Sequence, residues 1–319
     1  MLAVSWDTAT GALTLALCRL PDPPGPSPAA PPGNGGSPGA VQEAVFPAVP
    51  EILFSAQGGD GGTHSSELPP LAARAFSETG LKPGDLDAVF AGRGPGSFTG
   101  LRTGLSFAKG LAMGAGVPCV GVPTLEALAA AGGPGASGPP RLLAPVLDAR
   151  HGEIFTALYL AGSSAGPGLD PFRDPAGAGA DPPPAPFARG RTPAPEPARS
   201  GIPEALTGIL VLSPDAFYGA LAAALRELAG EGIGLPPGPV TVLGPGSLLL
   251  ASPPDGFVRG PSAGPDAAAA ARAGHARFVL EGAASNPPLP LYGRSPAIFK
   301  TWTPPARSPA LESPGGHAP

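Results

Sequence analysis

The densest run of chemically suggestive residues is Gly92-Arg93-Gly94-Pro95-Gly96-Ser97-Phe98-Thr99-Gly100-Leu101-Arg102. Glycines between a strand and a helix permit positive φ and close backbone approach. Together with the free amides and positive dipole end of the helix, they can make an anion site. The same glycines equally serve to pack the loop and helix tightly against whatever lies behind them, and residue types alone do not choose. The spacing fits neither GxxxxGK[ST] nor GxGxxG. Ser97 as a nucleophile would need glycine at position 95, where proline stands, and no His/Asp pair accompanies it. Asp148 and Glu153 flank a hairpin without forming an evident acid/base pair. The four histidines, His64, His151, His275 and His317, never fall at the i,i+4 spacing that puts two ligands on one helix face.

The elements that must hold this loop are legible in the hydrophobic pattern. Leu2 to Trp6 reads as a buried strand, Asp7 to Gly11 as a turn, and Ala12 to Leu20 as a returning strand. Ala44 to Ser55 is a third strand, and Pro47 and Pro50 place it at an edge. Ser65 or Ser66 caps a helix with Leu68, Leu71, Ala72, Ala75 and Phe76 on one stripe and Pro69 and Pro70 in its first turn. Asp87 to Ala91 is a strand, Gly92 to Gly100 the loop, Leu101 to Ala115 a helix, and Val117 to Val122 a strand; Thr124 starts a short helix. Three antiparallel strands followed by parallel strands alternating with helices is the order of a ribonuclease H-like lobe.

A worn second copy follows, with strands Leu142 to Leu147 and Ile154 to Leu160 joined at Asp148 to Gly152. Then come a helix Asp215 to Ala229, a strand Val240 to Gly244 and a helix Asp266 to Gly282. The expected fold class is therefore α/β, two tandem lobes in the actin, sugar-kinase and heat-shock-chaperone arrangement, the second degenerate. The lobes are placed at 1–125 and 126–301. Gly94-Pro95-Gly96-Ser97 is echoed by Gly244-Pro245-Gly246-Ser247, but GPG also occurs at Gly133 to Gly135 and Gly166 to Gly168, so only the strand context supports a repeat.

Composition restricts function more than it specifies it. The 49 glycines and 49 prolines among 319 residues suggest low complexity, yet 42% of residues are hydrophobic and only 13% charged. The excess concentrates in inserts at 21–41 and 161–201 and in a tail at 302–319, where proline removes donors and fixes φ. A net charge of −5 argues against a nucleic-acid backbone gripped by this chain alone. Cys18 and Cys119 are distant and in no CxxC pattern, which suits reduced thiols. The N-terminus lacks a basic signal region and no apolar run approaches a membrane span, so the expected location is the cytoplasm, with no membrane contact.

The stretch from Gly92 to Arg102, followed by Ala108-Lys109-Gly110-Leu111-Ala112 and Val117-Pro118-Cys119-Val120-Gly121-Val122, closely resembles the TsaB family. Its members are bacterial subunits of the machinery that makes threonylcarbamoyladenosine in tRNA. Asp7-Thr8-Ala9-Thr10, His64-Ser65, Leu147 to Ile154 and Pro290-Leu291-Tyr292-Gly293-Arg294 agree with it; Trp6 stands where an aliphatic residue is usual, and the inserts and tail depart from the pattern. The catalytic paralogue TsaD carries a similar glycine loop and a metal-binding HxxxH in the helix after the next strand. Thr124 and Leu128 occupy those two positions here, so the resemblance implies no catalytic residue and no metal. Glu126 between them is expected to be a solvated helix residue. Asp7 and Thr8 mark a candidate degenerate phosphate site or, equally, a turn. Arg93 and Arg102 bracket the loop and are expected to steady it or to meet a partner chain.

The resemblance further implies a scaffold subunit supporting TsaD, with the ATPase TsaE as a second partner, a second copy of the chain as partner when alone, and tRNA reached indirectly through the complex. No cofactor is expected on the chain alone, with ATP or ADP entering through the complex. In the family the first two helices of the N-terminal lobe do the pairing. Leu68, Leu71, Leu101, Leu105, Ala108, Leu111 and Ala112 are the expected interface residues, helped by small residues that allow close helix approach. The alternative function is a free-standing ATP-binding phosphotransferase of the sugar-kinase superfamily; a peptidase lacks any assembled site.

Overall fold

In the computed structural model, residues 1–22, 50–58, 64–132, 139–162 and 203–292 are described. The greater part of each insert, the tail, and the 44–49 portion of the expected third strand lie outside them. β1 (Leu2–Asp7) pairs antiparallel with β2 (Thr14–Arg19), which pairs antiparallel with β3 (Glu51–Gln57). α1 (His64–Thr79), β4 (Ala88–Gly94), α2 (Phe98–Ala115) and β5 (Cys119–Pro123) follow, with β4 and β5 parallel to β1. The sheet order is β3-β2-β1-β4-β5.

After α3 (Thr124–Gly132) come β6 (Arg141–Arg150), β7 (Glu153–Thr156), β8 (Tyr159–Ala161), β9 (Glu204–Ala205) and β10 (Leu210–Leu212). They are followed by α4 (Phe217–Gly230), β11 (Val240–Leu243), β12 (Phe257–Arg259) and α5 (Ala267–Glu281). The second sheet runs β10-β7-β6-β11-β12. Position for position this repeats the first sheet, with two antiparallel strands on one side of the founding strand and two parallel strands on the other.

The echo of GPGS is therefore structural: both copies follow the fourth strand of their sheets, and Gly94 and Gly244 both have positive φ. Register then identifies the degeneracy. Ala91 and Val242 stand on the outward faces of their sheets and pair with Trp6 and Ala144, and Gly96 and Gly246 abut Ala9 and Leu147, so the counterpart of Asp7 is Pro145. The second lobe has lost the acid.

Both faces of each sheet are covered, which is why β1 and β6 are mostly apolar along their buried lengths. In the first sheet Leu2, Val4 and Trp6 face the core under α1 and α2, while Ala3 faces α5. In the second, Val146 and Ile154 face α4, and Leu143, Leu147 and Phe155 face α3. α3 and α5 thus form the layer between the sheets. α5 approaches closely because it is nearly all Ala and Gly there: a Cβ on Gly274 would stand 2.6 Å from the Phe90 ring. Consequently the expected boundary between 125 and 126 falls inside α3, and α5 of the C-terminal half packs on the first sheet.

Local departures from the sequence reading have physical causes. α1 begins at His64, not after a cap at Ser65 or Ser66, so Pro69 and Pro70 fall in its second turn. The expected loop Gly92 to Gly100 is divided: strand continues to Gly94 and helix starts at Phe98. The strand expected from Ile154 to Leu160 breaks after Thr156, because its register neighbour Pro145 has no amide to offer. Leu158 turns instead to the Thr207 hydroxyl (2.9 Å). Ala161, assigned to the 161–201 insert, belongs to β8.

Candidate functional site

The glycines of the loop are filled by the chain's own first turn. A Cβ on Gly92 would collide with the Asp7 carboxylate, on Gly96 with the Ala9 carbonyl, on Gly100 with the Thr8 carbonyl and on Gly104 with the Thr8 hydroxyl. Hydrogen bonds follow the same path. The Ser97 amide donates to Ala9 O (2.7 Å), the Thr8 hydroxyl to Gly100 O (2.8 Å), and the Trp6 indole to Gly104 O (3.1 Å). Ser97 is the N-cap of α2, its hydroxyl accepting from the Gly100 amide (3.2 Å). Of the two readings left open, close packing has direct geometric support. The backbone of residues 8 and 9 holds the space beside Gly96 and Gly100. Thr99 and Arg102 are exposed, Leu101 is buried.

Asp7 is buried at the end of β1. Its Oδ1 accepts from the Ala9 amide (2.7 Å) and its Oδ2 from the Thr124 hydroxyl (2.7 Å), whose oxygen in turn accepts from the Gly94 amide (3.2 Å). Burial pushes the Asp7 carboxyl up to about 6, against the two hydrogen bonds and the nearby charge of His64, which lower it. His64 opens α1 and stands over Gly100. The folded chain therefore holds a proton on Asp7 between about pH 4 and 6 that the unfolded chain has released. The associated stability is present below pH 4 and lost as pH rises through 6, on the order of 3 kcal/mol. Asp7→Asn should remove that fall. Urea unfolding at pH 4.5 and 7 checks this, and an unchanged slope in the variant would refute the assignment to Asp7.

Leu128 is buried in the core between α3 and the second sheet, against Gly244. Glu126 corrects the sequence reading outright. It is not solvated: its side chain is 3% exposed and that of Arg277 6%. The pair is bidentate, Arg277 Nε to Oε1 (2.8 Å) and Nη2 to Oε2 (2.6 Å), and joins α3 to α5. Arg277 Nη1 also donates to Asn286 Oδ1 (2.7 Å), and Asn286 Nδ2 to the Gly282 carbonyl (3.2 Å). A signal for this was present: Leu125, Ala127, Leu128, Ala129 and Ala130 leave α3 no polar face, so a charge there must be buried and paired.

The expected interface residues also need correction. Leu68, Leu71, Leu105, Ala108 and Ala112 form the core between α1, α2 and the sheet; Leu101 is buried and Leu111 packs against that core. Amphipathic helices on a sheet bury their leucines inward, so the outward faces carry other residues. These are Pro69, Pro70, Ala73 and Ser77 on α1, and Ser106, Lys109, Gly110, Met113 and Gly114 on α2. Met113 is 83% exposed. Arg102 stays at the surface, its guanidinium 3.9 Å from the Phe98 ring centroid and its Nε donating to the Tyr292 hydroxyl (3.2 Å). Arg93 is buried.

Among the described residues no three His, Cys, Asp or Glu side chains gather to hold a metal ion, and no helix is long and apolar enough to cross a membrane. Cys18 and Cys119 are free; burial pushes their thiols up to about 12 and about 11, so they are poor nucleophiles.

A family model described as TsaD, tRNA N6-adenosine threonylcarbamoyltransferase, matches residues 61–230. The tRNA threonylcarbamoyladenosine biosynthesis protein TsaB of Escherichia coli K12 is 42% identical over 96 residues, which cover 30% of this chain and 41% of that protein. A tRNA N6-adenosine threonylcarbamoyltransferase of Thermus thermophilus is 38% identical over 120 residues, 38% of this chain and 35% of the relative. The matches thus span about two fifths of these relatives' length or less. The crystal structure of an uncharacterized Pseudomonas aeruginosa protein with similarity to the peptidase YeaZ superposes with a TM-score of 0.53 at 20% identity. It covers 92% of this chain and 99% of that one, a likeness of fold.

Proposed function

The chain belongs to the family that the TsaD model describes, and from that premise we propose that it is a non-catalytic subunit that supports TsaD in adding threonylcarbamoyl to the adenosine next to the anticodon of tRNA. The observation that carries this reading is what stands at the two positions where the resemblance places TsaD's metal ligands. The Thr124 hydroxyl is committed to Asp7 and Gly94, and Leu128 to the core. Leucine has no atom to coordinate a metal, so the residues present do not fit that ion. The fold is retained and the chemistry is not.

What such a chain offers a partner is surface. The outward face of α1 and α2 combines small residues with Met113, a flexible apolar side chain suited to a contact between helices. Its charges are few: an Arg74–Glu78 pair (3.1 Å), Lys109 and Arg102. TsaD is the partner assigned to this face, and a second copy of this chain competes for it when TsaD is absent. TsaE and ATP or ADP are assigned to the assembled pair, and tRNA is reached through TsaD, in the cytoplasm. Met113→Glu should weaken association with purified TsaD at least ~10-fold, about 1.4 kcal/mol, while leaving the unfolding midpoint unchanged. Sedimentation or calorimetric titration reads this; undiminished binding would remove α2 from the contact.

A further inference from the structure

Residues 282–292, after α5, stay against the body of the molecule. This segment turns back across the first lobe and meets the glycine loop at several independent points. The Asn286 carbonyl accepts from the Gly121 amide on the outer edge of β5 (2.9 Å), and the Leu291 amide donates to the Arg93 carbonyl at the end of β4 (2.6 Å). Two glycines make room for it. A Cβ on Gly121 would stand 2.7 Å from the Pro287 carbonyl, and one on Gly94 2.7 Å from the Leu291 carbonyl. At its far end Tyr292 lies 5.1 Å from Phe98, ring centroid to centroid, and its hydroxyl accepts from Arg102 at the start of the second turn of α2. At its near end Asn286 is fully buried and tied through Arg277 to Glu126 in the layer between the sheets.

We propose that residues 286–292 form a latch that sets the glycine loop and the head of α2, with Arg277 as its anchor and Tyr292 as its tip. Three facts argue for a positioning role over a mere covering of the β5 edge. The strap touches both ends of the loop, at Arg93 and at Phe98 and Arg102. Its anchor is a buried, bidentate ion pair, so the near end is fixed. Its tip is not buried: Phe98 and Tyr292 are each 43% exposed, so the outer contact adds orientation more than core. The latch thereby joins the contact between the lobes to the helix assigned above to the partner. That last consequence rests on the proposed pairing with TsaD; the latch itself does not.

Hydrogen exchange on the full chain tests it. Asn286→Ala should accelerate exchange at Gly121 and over residues 93–102 by ~10-fold or more, while α4, in the other lobe, keeps its rate. Tyr292→Ala, a surface change that leaves the core intact, should accelerate only 97–102. Unchanged exchange over 93–102 in both variants overturns the latch. So does a uniform acceleration that includes α4, which would make Asn286 a contributor to overall stability only. Association with purified TsaD separates the two proposals. Weaker binding of Asn286→Ala supports the coupling, and unchanged binding beside a weakened Met113→Glu overturns it. If Met113→Glu also binds as well as the parent, the assigned docking face fails and a latch read by exchange stands.

Discussion

Replacing Arg277 with methionine should lower the unfolding free energy by about 3–5 kcal/mol, because it removes the bidentate partner of the Glu126 carboxylate buried in the layer between the sheets. The cost is that of a buried charge deprived of its two guanidinium hydrogen bonds and is larger than the net worth of the pair. The double variant Glu126→Leu, Arg277→Met should therefore recover a large part of it, since two apolar side chains replace two buried ions in an otherwise Ala- and Leu-rich setting. Urea denaturation of the two singles and the double forms the cycle. A single variant within about 1 kcal/mol of the parent would contradict the burial of this pair.

Gly96→Ala should cost at least ~3 kcal/mol, since the new methyl meets the Ala9 carbonyl and Cβ, both held by β1 and by the Ser97 amide. Gly110→Ala, fourteen residues on in the same family stretch, should do the reverse. Its Cβ enters open space on an exposed helix face, so alanine adds about 0.5–1 kcal/mol of helix stability. The two substitutions are chemically identical and separate glycines required by close approach from glycines that only vacate a surface. Equal effects would mean that the contacts of residues 7–9 do not govern the loop.

Much of this architecture is legible from pattern because its determinants are local. The element order of the first lobe and the edge position of β3 follow from spacing and proline placement. What pattern could not supply is the direction in which a helix faces. The leucines of α1 and α2 read equally well as a stripe toward a sheet or toward a partner. Only the packed core shows that they are spent inward and that Pro70, Gly110 and Met113 remain outside. The apolar neighbours of Glu126 signal its burial, but they do not identify what it pairs with. Its partner Arg277 lies 151 positions away in a helix that crosses to the other lobe. The role of residues 286–292 is likewise nonlocal: Gly94 and Gly121 were visible as glycines, but the carbonyls they admit come from the far end of the chain.

The residues that identify the family are thus chiefly those that fold it. Asp7, Thr8, Thr124 and the glycines from 92 to 104 interlock at the end of β1, and the surface they leave exposed is the face of α1 and α2. The most direct measurement is the amount of threonylcarbamoyladenosine formed in tRNA by purified TsaD with TsaE, ATP and the threonylcarbamoyl donor. It is made without this chain, with it, and with its Met113→Glu variant. The chain should raise formation at least ~10-fold, its variant should do so weakly, and the chain without TsaD should form none. Formation by TsaD that is indifferent to the chain, or turnover by the chain alone, would contradict a non-catalytic, supporting role.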